Sequence, residues 1–212
     1  ETEEWKSKVG EIRILYRPRR LKTPRLILLG AGKLESYDSG SIRDLIRKAV
    51  RKIKSYHLKK VAVFRRSRIE PILSAQATVE GILLATYDSD DYKTEEKSKN
   101  YIEEIVFATD QDLDSKEVER ALHRGEILAQ ATNLARQLVN EPGNCFSPTR
   151  LAETAKEVAE KNGLEVEILD EPEMEEREMG AILAVSRGSD EPGRFIILRH
   201  FGDPQSTAPP AV

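Results

Sequence analysis

Residues 133–148 read Asn133-Leu134-Ala135-Arg136-Gln137-Leu138-Val139-Asn140-Glu141-Pro142-Gly143-Asn144-Cys145-Phe146-Ser147-Pro148. Leu134, Ala135, Leu138 and Val139 fall at helical spacing, so a helix runs into this stretch. It stops over 140–143, because the residue before Pro142 is steered away from the α conformation and Gly143 admits a turn. Ser147 offers an N-cap oxygen, and Pro148 suits the first helical position, where its missing N–H would have had no partner, so a second helix starts. Two halves of the chain meet here.

Upstream, Val118, Ala121, Leu122, Gly125, Leu128, Thr132, Ala135 and Val139 make one apolar stripe, and Asp114 and Glu117 have capping-box spacing. The spacing predicts one helix over 115–139. About 25 residues at 1.5 Å each span roughly 37 Å, enough to connect two domains. Downstream, Leu151, Ala152, Ala155, Val158 and Ala159 predict a helix stopped by Gly163, followed by a strand over 164–169. Asp170 and Glu173 repeat the capping-box spacing, with Pro172 in the first turn and Gly180 at the end of a short helix, and 195–198 is an apolar strand.

Towards the N-terminus, residues 12–16 predict a strand, and the apolar run 25–30 reads as a buried parallel strand ending in Gly30. A helix follows with Ile42, Leu45, Ile46, Ala49, Val50 and Ile53 on one face and Arg43, Arg47, Lys48, Arg51 and Lys52 on the other. Residues 60–64 form the next strand, Pro71 opens another helix, 87–99 is a charged turn, and 102–107 is a strand. Helices alternating with strands predict an α/β protein with a mainly parallel sheet on each side of the long helix.

The chain has 212 residues, 39% hydrophobic and 33% charged, enough for one large or two small domains. No apolar run approaches the roughly 20 residues of a membrane span. One cysteine, Cys145, allows no internal disulfide and fits a reducing compartment. The net charge of −3 conceals an asymmetry: residues 11–68 hold 18 Lys and Arg against 4 Asp and Glu, so the remainder is strongly acidic. A block this basic could meet nucleic acid or another anion.

Gly30-Ala31-Gly32-Lys33, between strand and helix, invites a phosphate-binding reading. A P-loop requires Gly where Ile27 stands, and a dinucleotide fingerprint requires Gly where Glu35 stands, so a structural turn is expected. His57, His123 and His200 lie far apart and form no metal-ligand motif, and no Gly-x-Ser-x-Gly is present. Cys145 has no activating partner in sequence. The acidic runs 88–91 and 171–178 are expected to be a solvated turn and a solvated helix, because ligands must converge in space.

The stretch 133–148, through Asn133-Leu134-Ala135-Arg136, Leu138-Val139-Asn140, Pro142, Asn144 and Ser147-Pro148, resembles the inter-domain junction of the leucyl aminopeptidase (cytosol aminopeptidase) family. Glu80-Gly81-Ile82-Leu83-Leu84-Ala85-Thr86-Tyr87-Asp88 with Tyr92-Lys93-Thr94 is similar to that family's N-terminal domain. Met179-Gly180-Ala181-Ile182-Leu183-Ala184-Val185 with Gly188-Ser189 is similar to the opening of its catalytic domain. The similarity runs in order over most of 10–203. It departs at Cys145-Phe146, where the family usually has a larger residue and then Leu, and at Glu178, where Gly is common.

The resemblance implies an α/β protein in three parts. A macro-like N-terminal domain spans 1–112, incomplete at its start by one or two strands; a connecting helix and junction span 113–143; and the first units of a metallopeptidase catalytic domain span 144–212. It implies a cytoplasmic, hexameric enzyme that releases N-terminal amino acids, leucine preferred, from peptides. That enzyme would use two divalent ions, zinc or manganese, held by one Lys and several Asp and Glu that follow Gly-Lys-Gly and Asn-Thr-Asp-Ala-Glu-Gly-Arg motifs. Neither motif occurs in 1–212. The resemblance therefore assigns no catalytic, cofactor-binding or metal-ligating residue here, and implies an inactive piece that holds no metal. The alternative from another class is an anion-binding, nucleic-acid-binding or subunit-packing module that uses the basic segment 11–68, with weak DNA binding at most.

Overall fold

The computed structural model describes residues 5–33, 37–65, 69–89, 92–95, 102–109 and 114–202. The chain divides into two compact units, residues 1–139 and 140–212.

The first unit opens with a hairpin. Strands β1 (Ile12–Tyr16) and β2 (Arg25–Leu29) pair antiparallel, with Ile12 opposite Leu29 and Tyr16 opposite Arg25. This overturns the parallel reading of the run 25–30, since an apolar run looks the same in either direction and a partner decides between them. Helix α1 (Ser39–Ile53) follows, with Asp38 as its N-cap. Strand β3 (Lys60–Arg65), helix α2 (Pro71–Thr86) and strand β4 (Glu104–Thr109) form a parallel β-α-β unit, with Lys60 opposite Glu104. Pro71 sits in the first turn of α2, and Glu70 caps it by accepting from the N–H groups of Ile72 and Leu73.

The core of this unit lies between α1 and α2, where Ile42, Ile46 and Val50 meet Ala77, Ile82 and Ala85. Gly81 permits the contact. A Cβ there would stand 2.7 Å from the Arg43 carbonyl oxygen. Helix α3 (Ser115–Asn140) is continuous through Gly125, and it packs on α2 rather than crossing open space. Its buried residues are Ala121, Gly125 and Ala129, whereas Leu128 and Val139 of the expected stripe are 45% and 84% exposed. The close approach explains the difference, because a Cβ on Gly125 would lie 2.6 Å from the Gln76 carbonyl oxygen. At such a separation only small residues at i, i+4 spacing fit, and the larger ones turn away.

In the second unit, helix α4 (Pro148–Asn162) starts as the sequence predicts, with Ser147 accepting from the N–H of Arg150 and Pro148 in the first turn. It ends at Gly163 in the left-handed conformation, φ 66°. Strand β5 (Glu165–Leu169), short helices α5 (Glu171–Glu176) and α6 (Gly180–Ser186), and strand β6 (Phe195–Arg199) complete it. The two strands pair antiparallel, Leu169 opposite Phe195, so among the described residues only β3 and β4 pair in the parallel sense. Leu169, Met174 and Leu183 form the small core, with Ala152, Ala155 and Ala159 buried along α4.

Candidate functional site

The turn after β2 is committed to backbone. Gly30 N–H donates to the Glu11 carbonyl at 2.8 Å, Gly32 N–H donates to the Ser7 carbonyl at 3.0 Å, and the Gly30 carbonyl accepts from Gly10 N–H at 2.9 Å. A Cβ on Gly30 would stand 2.1 Å from the Lys8 carbonyl oxygen, and Gly32 has φ +75°. These glycines let residues 7–11 lie against the turn, so two N–H groups that a phosphate would need are already taken. The start of α1 is occupied as well. The Asp38 carboxylate accepts from Ser41 N–H at 2.7 Å, and that bond, with one from the Ser41 hydroxyl, holds its pKa below the ordinary value. A side-chain anion sits where a bound one would go.

Among the described residues, the remaining candidates gather into no ligand cluster. His57 follows a 3₁₀ turn in the left-handed conformation, φ 51°, and His123 lies 3.8 Å from Glu126 on an exposed face of α3. His200 and Cys145 are exposed. Asp88 pairs with Lys54, while Asp90 and Asp91 fall outside the described residues. In the second acidic run, the expected solvated helix does structural duty at two positions. Glu173 completes a capping box with Asp170, and Glu171 accepts from Gly193 N–H at 2.9 Å. Among the described residues, no three His, Cys, Asp or Glu side chains converge so as to hold a metal ion.

Electrostatics in the basic segment differ from the sequence reading. Arg43, placed above on the solvated face of α1, reaches Glu80, which is 5% exposed, with Nε 2.5 Å from Oε2. The contact is one of charge rather than an aligned hydrogen bond, and Gln76 donates to the other Glu80 oxygen at 2.8 Å. Lys59 pairs with Glu103 at 2.7 Å and Lys60 with Glu104 at 2.6 Å. Glu80 of α2, Glu103, and Glu104 of β4 thus neutralise cations that the sequence leaves unopposed. On the hairpin side, Arg13 lies over Trp5 and Arg25 over Tyr56, 5.5 and 5.6 Å from the ring centres. A hydrogen bond with Tyr56 raises the Tyr16 pKa.

Two residues of the stretch 133–148 have a role that local spacing does not reveal. Asn133 donates from Nδ2 to the Leu83 carbonyl at 3.1 Å, and Arg136 donates from Nη1 to the Leu84 carbonyl at 3.4 Å and to Asn133 Oδ1 at 3.3 Å. Those carbonyls belong to the last turn of α2, where the Thr86 hydroxyl also donates to the Leu83 carbonyl at 3.1 Å. Polar residues three apart on the α2-facing side of α3 were the available signal.

The first unit also contains a cavity of about 910 Å³ between β2 and β3, with the apolar side of α1 as its floor. Its lining is mostly aliphatic. No described helix is long and apolar enough to cross a membrane.

Comparison with known proteins supplies what the geometry lacks. A model of the N-terminal domain of the cytosol aminopeptidase family matches residues 1–96, and a model of that family's catalytic domain matches residues 133–212. A probable cytosol aminopeptidase of Alkaliphilus oremlandii is 36% identical over 206 residues, covering 95% of this chain and 41% of the relative. One from Solibacter usitatus is 38% identical, covering 91% and 39%. Among solved structures, a tomato leucine aminopeptidase variant superposes with a TM-score of 0.79 at 29% identity, covering 91% of this chain and 38% of that one. The bottromycin maturation enzyme BotP in complex with Mn superposes at 0.75 and 25% identity, covering 91% and 39%. The chain thus spans about two fifths of the length of the relatives it matches.

Proposed function

This chain belongs to the cytosol aminopeptidase family, and from that premise we propose that it is part of a cytoplasmic, metal-dependent aminopeptidase that releases N-terminal residues, leucine preferred, from peptides. One observation carries the reading: the family's N-terminal and catalytic domains match in order along a single chain, over residues 1–96 and 133–212. The described residues do not fit a metal pair, since no three potential ligands converge. The proposal puts its ligands outside residues 1–212, with two ions, zinc or manganese, and a hexamer as further parts. A module acting through the basic segment is the weaker reading, because Arg43, Lys54, Lys59 and Lys60 are engaged by acidic partners.

The test is to incubate the full-length polypeptide with leucyl peptides and with N-acetylated copies, with manganese or zinc present. Stepwise release from free N-termini alone supports an aminopeptidase. Cleavage of the blocked copies, or of internal bonds, would overturn it. Light scattering on the same sample tests the hexamer.

A further inference from the structure

Arg43, Lys54, Lys59 and Lys60 have acidic partners; the cations at the tip of the first hairpin do not. Between Glu11 and Glu35 the sequence has seven Lys and Arg and no acidic residue. Strands β1 and β2 close with Tyr16 opposite Arg25, and Arg17 N–H donates to the Pro24 carbonyl at 2.8 Å. Residues 17–24 therefore form one loop at the end of the ribbon. Arg17, Arg19, Arg20 and Lys22 are exposed there, and among the described residues none of them enters an ion pair.

The tip also exposes apolar surface, with Leu21 52% and Tyr16 61% accessible. A turn places Leu21: its N–H donates to the Pro18 carbonyl at 3.3 Å, with Arg19 and Arg20 between them. Arg20 has φ 69° and Arg17 φ 46°, the left-handed region where Gly or Asn is usual. Arginine at these two positions costs conformational energy, and what it keeps there is a cation close to the exposed leucine.

We propose that this hairpin tip docks on the surface of an anionic phospholipid membrane, with Arg17, Arg19, Arg20 and Lys22 at the headgroups and Leu21 inserted among them. Each Lys or Arg near such a surface strengthens binding roughly fivefold, so the cations act together where one alone would hold little. Leu21 selects a membrane over nucleic acid. A phosphodiester backbone offers the cations the same charge but gives an aliphatic side chain no apolar medium to enter, whereas the headgroup and acyl boundary gives it one. Tyr16 suits the same boundary, since its ring is apolar and its hydroxyl polar. The cytoplasmic leaflet is the anionic one, so docking is compatible with the enzyme proposed above and does not depend on what that enzyme hydrolyses.

Sedimentation of the full-length polypeptide with phosphatidylcholine vesicles, with and without phosphatidylserine, tests the proposal. The expected result is binding at least about 100-fold stronger to the anionic vesicles at low salt, weakening as salt rises. Arg19→Gln with Lys22→Gln should lower that binding about 25-fold, and Leu21→Ser about 10-fold, while the urea midpoint of each variant stays at the wild-type value. Equal binding to neutral and anionic vesicles, or folded variants that bind as the wild type does, would overturn the proposal. Duplex DNA that binds more tightly than the anionic vesicles, with no loss in Leu21→Ser, would assign the tip to nucleic acid, and free glycerophosphoserine that displaces the vesicles would assign it to a small soluble anion; either overturns it.

Discussion

Gly125 of α3 lies so close to Gln76 of α2 that a Cβ would stand 2.6 Å from the Gln76 carbonyl oxygen. Gly125→Ala gains roughly 1 kcal/mol of helix propensity but forces two helix backbones apart. The net expected outcome is destabilisation of the first unit by about 1–3 kcal/mol, read as a lower urea midpoint. Gly143→Ala, with nothing within 4 Å, is the comparison and should shift the midpoint little.

Asn133 and Arg136 satisfy carbonyls at the end of α2 and touch each other. Asn133→Ala is expected to cost about 1 kcal/mol. Because the two side chains share a hydrogen bond, the double variant should cost less than the sum of the single ones, and a double-mutant cycle measures the coupling. Strict additivity would separate their roles.

In the second unit, Glu167 accepts from Arg199 at 2.6 Å and from Arg177 at 2.8 Å, and these bonds, Arg199 first, hold its pKa below the ordinary 4.5. A carboxylate with a lowered folded pKa contributes stability that is present above 4.5 and disappears as the pH falls through the folded value. The wild-type protein should therefore lose stability below about pH 4.5 more steeply than Glu167→Gln. Parallel acid limbs in the two proteins would remove this ion-pair cluster from the account.

Local signals were legible in the sequence and long-range ones were not. Ser147-Pro148, Gly163 and the Asp170–Glu173 box each act within a few residues, and all three form as read. The direction of β2 was not legible, because it depends on a partner strand that the run 25–29 does not encode. The buried side of α3 is not legible because Leu128 and Val139 outweigh Ala121 and Ala129 in any count of hydrophobicity, yet the closeness of α2 selects the small residues. The pairing of Arg43 is not legible because Glu80 lies 37 positions away along the chain. For the site, the motif stretches carried the family, while single residues such as Lys33 and the histidines carried nothing.

The paired cations also limit the basic segment. DNA binding is expected to be weak, insensitive to sequence, and lost steeply as salt rises, since each phosphate contact releases a counterion. A fluorescence titration at physiological salt checks this, and sub-micromolar binding there would contradict it.

The central claim is tested most directly by measuring leucine release from a leucine anilide by residues 1–212 alone, beside the full-length polypeptide, with manganese or zinc present. A two-metal hydrolase needs several ligands holding both ions about 3.5–4 Å apart, and no three candidate ligands converge among the described residues. The account predicts no turnover and no stoichiometric metal binding by 1–212, with both present in the full-length polypeptide. Metal-dependent release of leucine by the 212-residue chain would contradict it.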